Sequence, residues 1–198
     1  MSSVELLAAS LDSDRLVLLD VARRAIEHGL ESRSVLPVDA AAFSPFLQEP
    51  RACFITLKKS GALRGCMGCL DATLPLIRAV AHYAHQAAFH DPRFEALQPH
   101  ELADVSISIS VLSSAVPIEF TSEADLLSQL QPGIDGVTLT EGRRTATLLP
   151  QVWDHVADPR VFVRHLKRKA GLAENYWSPT LRFERYRACS IAEAAGGE

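Results

Sequence analysis

Seven consecutive residues, Leu63-Arg64-Gly65-Cys66-Met67-Gly68-Cys69, bring together two thiols, a permanent cation and two glycines. A thiol becomes a nucleophile or a metal ligand once deprotonated, and a guanidinium offers a fixed fork of donors to an oxyanion. Glycine lets the backbone approach a ligand closely. Three chemistries compete for this segment.

The first is zinc binding. Cys66 and Cys69 leave a hairpin, and His82 and His85 ride the helix that follows, a layout that imitates a C2H2 finger. The two residues between the histidines fall short of the usual three to five, and both histidines lie off the apolar face of their helix, so they are expected to face solvent. A chain of 198 residues with its own core needs no structural metal, so no metal is expected.

The second is a redox dithiol, since Cys-x-x-Cys can cycle between thiol and disulfide. Such motifs place the first cysteine at a helix N-terminus, whose dipole stabilises thiolate. Here the next helix begins several residues too late.

The third takes Cys66 as a lone nucleophile or ligand contact, with Arg64 favouring its thiolate and orienting an anionic group. Against it stands a purely structural reading, in which Gly65-Cys66-Met67-Gly68 makes a tight buried turn. His90 and Asp91 could supply a base and its orienter, but a histidine and aspartate before Pro92 also mark a helix stop. His28 and His155 carry less signal. Cys53 and Cys189 lie in apolar surroundings and read as small buried hydrophobes.

One further cluster could bind something. Arg160, Arg164, His165, Lys167, Arg168 and Lys169 crowd one helix, read as a solvated face whose cations complement the C-terminal dipole, with RNA or phosphate binding as the sharper alternative. Trp153 and Trp177 read as core or interface anchors rather than stacking platforms.

These residues need elements to position them. Ser13 can cap a helix over Asp14 to Gly29, where Leu18, Val21, Ala22, Ala25 and Ile26 share a face and Gly29 is the stop. After a proline-rich connection, Cys53 to Leu57 reads as a strand, Lys58 to Gly61 as a turn and Leu63 onward as the returning strand. A second helix runs from a Thr73 cap, with Pro75 in its first turn, to about Ala88. Val105 to Val111 alternates apolar residues with serines as a half-buried strand.

Ser122-Glu123-Ala124-Asp125 resembles a capping box before a short helix to Leu130. Val137–Thr140 and Thr145–Leu149 form a hairpin turning at Glu141-Gly142. Asp158-Pro159 starts a helix that ends at Gly171, and a last strand covers Leu181 to Ala188. Hairpins and helices alternate without regular βαβ units, which predicts an α+β class with a mainly antiparallel sheet and flanking helices.

Composition sets the outer limits. Hydrophobic residues make up 47% and charged residues 22%, ordinary for a globular chain, with disorder expected only at the ends, chiefly Ala194 to Glu198. A net charge of −4 argues against a generic nucleic-acid coat. The first residues lack a basic n-region, and Asp12, Asp14 and Arg15 break the apolar run behind them, so neither signal peptide nor membrane span is expected and the chain is read as cytoplasmic. Its four cysteines are too few for a disulfide scaffold.

Leu63 to Gly68 resembles the Leu-Arg-Gly-Cys-Ile-Gly signature of the AMMECR-type domain family, also called AmmeMemoRadiSam system protein A. Four further blocks follow in the family's order: Ala87 to Phe94, Ile109 to Ser113, Ala146 to Val152 and Lys169 to Leu172. The resemblance spans nearly the whole chain. It implies a single AMMECR-type domain over residues 1–198, in two unequal lobes with a cleft between them and the cysteine motif near that cleft. The matched positions are Arg64, Gly65, Cys66, Gly68, Asp91 and Arg93. Cys69 departs, standing where the family more often has threonine, which weakens both readings that need a second thiol.

The expectation is a cytoplasmic enzyme or enzyme component that binds an anionic small substrate. Cys66 and Arg64 are its catalytic residues, with Asp91 and His90 as assistants; Gly65, Gly68 and Arg93 are its substrate contacts. The alternative is a non-catalytic binding or scaffold protein that docks a protein or RNA. No cofactor is expected. Memo-type and radical-SAM proteins are partners implied by the family's name.

Overall fold

The computed structural model describes residues 3–193. The expected disordered end, Ala194 to Glu198, lies outside them. In chain order the elements are α1 (Ser3–Ser13), α2 (Arg15–Ser32), α3 (Pro45–Gln48), β1 (Cys53–Lys59), β2 (Ala62–Gly68), α4 (Leu76–Phe89) and β3 (Val105–Leu112). Then come β4 (Val116–Pro117), α5 (Glu123–Gln129), β5 (Gly136–Glu141), β6 (Arg144–Leu148), α6 (Pro159–Lys169), β7 (Arg182–Tyr186) and β8 (Ala188–Ala192). The architecture is α+β, with two four-stranded sheets in the orders β2-β1-β3-β8 and β4-β7-β5-β6.

The chain divides into two compact units, one running to Leu112 and resuming at Cys189, the other Ser113–Ala188. In the first, β1 pairs antiparallel with both β2 and β3, so that Cys53, Ile55 and Leu57 stand beside Val111, Ile109 and Ile107. Period-2 alternation turns all six toward one face, where they are fully buried. Helix α4 packs on α2, β1 and β2 and adds Leu76, Ile77, Val80 and Ala84 to the same core. Each such Leu or Ile contributes about 1.5–3 kcal/mol relative to exposure.

Helix α2 departs from expectation at both ends. Ser13 closes α1, which sequence reading missed, and Asp14 holds the junction by accepting the N–H of Leu18 on its carbonyl. Gly29 does not stop the helix, which continues to Ser32. The reason is packing: a Cβ on Gly29 would lie 2.4 Å from the Phe89 ring and 2.9 Å from that of His85, so its lack of a side chain serves the α2–α4 contact. Arg33 takes the left-handed capping conformation instead, at φ 55°, and its N–H returns to the Gly29 carbonyl.

In the second unit, the expected caps form. Ser122 Oγ accepts the N–H of Asp125, and Asp158 accepts that of Arg160. Trp153 stacks on Phe162 with ring centroids 3.8 Å apart and donates to the Asp135 carbonyl. Trp177, by contrast, is half-exposed. The single last strand expected over Leu181 to Ala188 is two strands, β7 and β8. Between them the Arg187 N–H donates to Ser113 Oγ, and the chain leaves one sheet for the other.

Candidate functional site

The β1–β2 hairpin closes on Ser60 and Gly61, both at positive φ, 51° and 80°. That is the conformation of a two-residue turn whose twist matches its strands. Returning along β2, the register runs Lys58 opposite Leu63 but Leu57 opposite Gly65, so Arg64 is the extra residue of a bulge. Bulges re-aim the side chain they insert. Here Arg64 reaches Glu101 with two donors, Nε to Oε1 at 3.2 Å and Nη2 to Oε2 at 2.9 Å.

Glu101 is the centre of this cluster. It also accepts from Lys59 Nζ at 3.1 Å and from the Gln98 N–H, as the third residue of a capping box on the turn Pro99–Asp104. Its hydrogen bonds from Arg64, helped by Gln98 and Lys59, outweigh burial and hold its carboxyl down at about 2. Sequence reading missed Glu101; the Gln-x-x-Glu spacing ahead of Leu102 was the signal that could have revealed it.

Beyond Arg64, the strand shows why its residues are small. A Cβ on Gly65 would lie 2.1 Å from the Ala87 carbonyl oxygen of α4, and one on Gly68 would lie 2.3 Å from the Cys53 carbonyl. Both glycines therefore admit protein backbone at close range. Cys66, between them, sits opposite Thr56 in the register, with Sγ 3.4 Å from Thr56 Oγ1. Strand alternation turns it away from α4, and it is half-buried.

Strand β2 is an edge of its sheet, and Asp91 and Arg93 cover that edge at Cys66. Asp91 Oδ2 accepts the Cys66 N–H at 2.8 Å, and Arg93 Nη2 donates to the Cys66 carbonyl at 3.3 Å. The two side chains thus stand where a neighbouring strand would donate and accept. They are also paired to each other, Arg93 Nε to Asp91 Oδ1 at 2.9 Å and Nη2 to Oδ2 at 2.6 Å. Arg93 above all, then the Cys66 and Arg93 N–H groups, hold the Asp91 carboxyl far below the usual carboxylate range despite its burial. The Phe94 ring lies within cation–π reach of both guanidiniums, 6.0 Å from Arg64 and 5.5 Å from Arg93.

His90 goes elsewhere. It caps the C-terminus of α4 and its ring lies 5.3 Å from that of His85; among the described residues no hydrogen bond joins it to Asp91. His85 corrects the expectation of a solvent-facing histidine, being only 4% exposed. Helix α4 is covered by α2 as well as by the sheet, so its buried arc is wider than one apolar stripe suggests.

The zinc arrangement does not assemble. No three His, Cys, Asp or Glu side chains among the described residues are placed to hold a metal. The Tyr83 hydroxyl is pushed up to about 12, chiefly by burial and then by the neighbouring Cys69. Cys53 is buried, and desolvation pushes its thiol up strongly; Cys189 is only half-buried and is raised by the same cause.

The basic helix α6 is less open than its composition implies. Lys167 is fully buried, 2.7 Å from Glu123, Arg168 pairs with Glu174, and Lys169 donates to the Thr147 carbonyl. Arg160 and Arg164 line a surface groove with Glu123, Asp158 and Glu174. Its positive charge is largely answered locally.

The AMMECR1 family model matches residues 19–191, nearly the whole chain and the entire Cys66 region. The chain belongs to the AMMECR1 family. A member from Methanothermobacter thermautotrophicus is 37% identical over 175 residues, covering 86% of this chain and 90% of that protein. Another from Methanopyrus kandleri is 34% identical over 168 residues, covering 81% and 78%. The crystal structure of an uncharacterized protein from Pyrococcus horikoshii superposes with a TM-score of 0.82 at 29% identity, covering 89% of this chain and 90% of that one. The AMMECR1 signature around Cys66 is thus, in this chain, a bulged edge strand held by two carboxylate–guanidinium pairs. No helix among the described residues is long and apolar enough to cross a membrane.

Proposed function

We propose that this AMMECR1-family protein acts by binding, and that its Cys66 segment is a rigid frame rather than a covalent catalytic centre. The observation that carries the reading is the engagement of Asp91, the carboxylate nearest Cys66. It accepts the Cys66 N–H and both donors of Arg93. A carboxylate held so far below its usual range is a weak proton acceptor, and general-base efficiency falls with it. Arg64 is likewise engaged by Glu101 through both ends of its fork, leaving its geometry matched to an internal carboxylate.

A frame of this kind suits a protein that presents a fixed surface to others. The Memo-type and radical-SAM proteins implied by the family resemblance are partners of that class.

The test is the alkylation rate of Cys66 by iodoacetamide, followed by peptide mass spectrometry between neutral and mildly alkaline pH. The expected result is a rate no greater than that of glutathione and insensitive to Arg93→Gln. A Cys66 that reacts faster than glutathione at neutral pH, and slows in Arg93→Gln, overturns the binding reading in favour of an activated thiol.

A further inference from the structure

The ladder between β1 and β2 runs one step past the end of β2. Its register pairs Phe54 with Gly68, and the Cys69 N–H then donates to the Cys53 carbonyl at 3.0 Å. Cys53 and Cys69 are therefore opposite residues of an antiparallel pair, at a hydrogen-bonded position. Opposite side chains stand on one face of the sheet, and at such a position the Cα atoms lie about 5.5 Å apart. A disulfide spans Cα separations of roughly 4.4–6.8 Å, most often about 5.5–6 Å.

Further observations agree with that placement. Cys53 belongs to the inner face with Ile55 and Leu57 and is fully buried. A charge on Cys69 disfavours one on Cys53, and both thiols act on the hydroxyl of Tyr83, which α4 packs against the same core. The two backbones also close tightly here, since a Cβ on Gly68 would lie 2.3 Å from the Cys53 carbonyl.

The pleat separates Cys69 from the cysteine nearest to it in sequence. Cys66 precedes it by an odd number of residues and so points to the opposite face, where its Sγ lies 3.4 Å from Thr56 Oγ1. The Cys-x-x-Cys spacing thus misdirects, and the thiol within reach of Cys69 lies on β1. Access differs between the two. Cys69 is half-buried and meets solvent, whereas Cys53 is enclosed, so a small oxidant reaches Cys69 first.

We propose that Cys53 and Cys69 are a peroxide-sensitive dithiol that closes reversibly into a cross-strand disulfide. The Cys69 thiolate attacks one oxygen of hydrogen peroxide and the O–O bond breaks. Hydroxide leaves, takes up the proton that the Cys69 thiol lost, and Cys69 becomes a sulfenic acid. The Cys53 sulfur then displaces the sulfenic hydroxyl, which departs with the Cys53 proton as water while the S–S bond forms. Two thiols are oxidised by two electrons, and one peroxide is reduced to two waters. Side chains diverge more at a hydrogen-bonded pair than at a non-hydrogen-bonded one, so the bond forms under strain and stays reducible. The closed form ties β1 to the segment leading into α4. Cys66, on the opposite face, takes no part, so the alkylation result and this proposal stand or fall separately.

The test treats the folded full chain with a small excess of hydrogen peroxide, blocks the remaining thiols and digests with trypsin in the absence of reductant. Free thiols are expected to fall from four to two per chain, with peptide Ala52–Lys58 recovered linked to Gly65–Arg78. Tandem fragmentation places the link on Cys69. Cys66→Ala keeps the link, and Cys69→Ala, a change at a half-buried position, abolishes it. Millimolar reduced glutathione restores all four thiols. The same oxidation in urea supplies the reference, in which pairing scatters over the cysteines. A Cys66–Cys69 link, a link between chains, Cys69 sulfinic acid without a partner, or no loss of thiols would each overturn the proposal. So would native pairing no more selective than that in urea, or a bond that glutathione fails to reopen.

Discussion

The carboxylate of Asp91 meets Cys66 at its main-chain N–H, 2.8 Å away, while Arg93, paired to the same carboxylate, meets the carbonyl of the same residue. Two side chains whose types suggest acid, base and anion recognition thereby complete the main-chain hydrogen bonding of one residue on a sheet edge. Asp91→Ala leaves the Cys66 N–H without its partner and frees Arg93. Urea denaturation is expected to show a loss of roughly 1.5–3 kcal/mol, the range for hydrogen bonds to charged groups. Arg93→Ala, at a side chain that is 53% exposed, is expected to cost about 1 kcal/mol or less. Equal losses in the two variants would show that Asp91 does not anchor the edge.

Acid stability follows from Glu101. Its folded carboxyl titrates at about 2 against an ordinary value of 4.5, so the folded state binds that proton more weakly than the unfolded chain does. The stabilisation is complete above the ordinary value and disappears as pH falls toward 2. Glu101→Gln should be less stable than the parent at neutral pH, with the gap narrowing through that window. A gap that stays constant in pH-dependent urea titrations would refute the linkage.

Gly65 and Gly61 separate packing from backbone strain. At Gly65 a methyl would strike the Ala87 carbonyl of α4, a backbone atom that cannot swing aside. Gly65→Ala is expected to lose roughly 3 kcal/mol by overpacking. Gly61, at φ 80° with open space around it, should lose only about 1–2 kcal/mol on the same change, from left-handed strain alone. Thermal melts of the two variants give the order directly.

Lys167 offers a test of buried charge. Its ammonium is fully enclosed, touching Glu123 and lying 5.4 Å from the Trp177 ring, while Glu123 is half-exposed. Lys167→Met removes a desolvated charge and leaves a carboxylate that water can reach. The expected change in unfolding free energy is below about 1.5 kcal/mol. A loss of several kcal/mol would show that the ion pair itself holds α6.

Much of the first unit's framework was legible because its signals are local. The alternation of Val105 to Val111, the Ser60-Gly61 turn and the apolar face of α4 are each satisfied within a few residues, so periodicity alone places them. Gly29 misled for the opposite reason. A glycine at the end of an apolar stripe reads as a stop, but its use is to let the rings of His85 and Phe89 close on α2, a contact made across more than fifty residues of chain. His85 misled likewise, since a helix packed on two sides buries positions that a single stripe leaves outside.

The sequence by itself determined the α+β class, the family, the hairpin that carries Cys66 and the caps at Ser122 and Asp158, because these rest on residue types at short spacing. Only the tertiary structure decided what the charged residues do. Arg64 and Glu101 lie 37 positions apart and Cys66 and Asp91 lie 25 apart. A carboxylate is chemically the same whether it holds a proton, a substrate or a peptide N–H. Which of these it meets depends on partners that folding brings within 3 Å, and no local pattern encodes that.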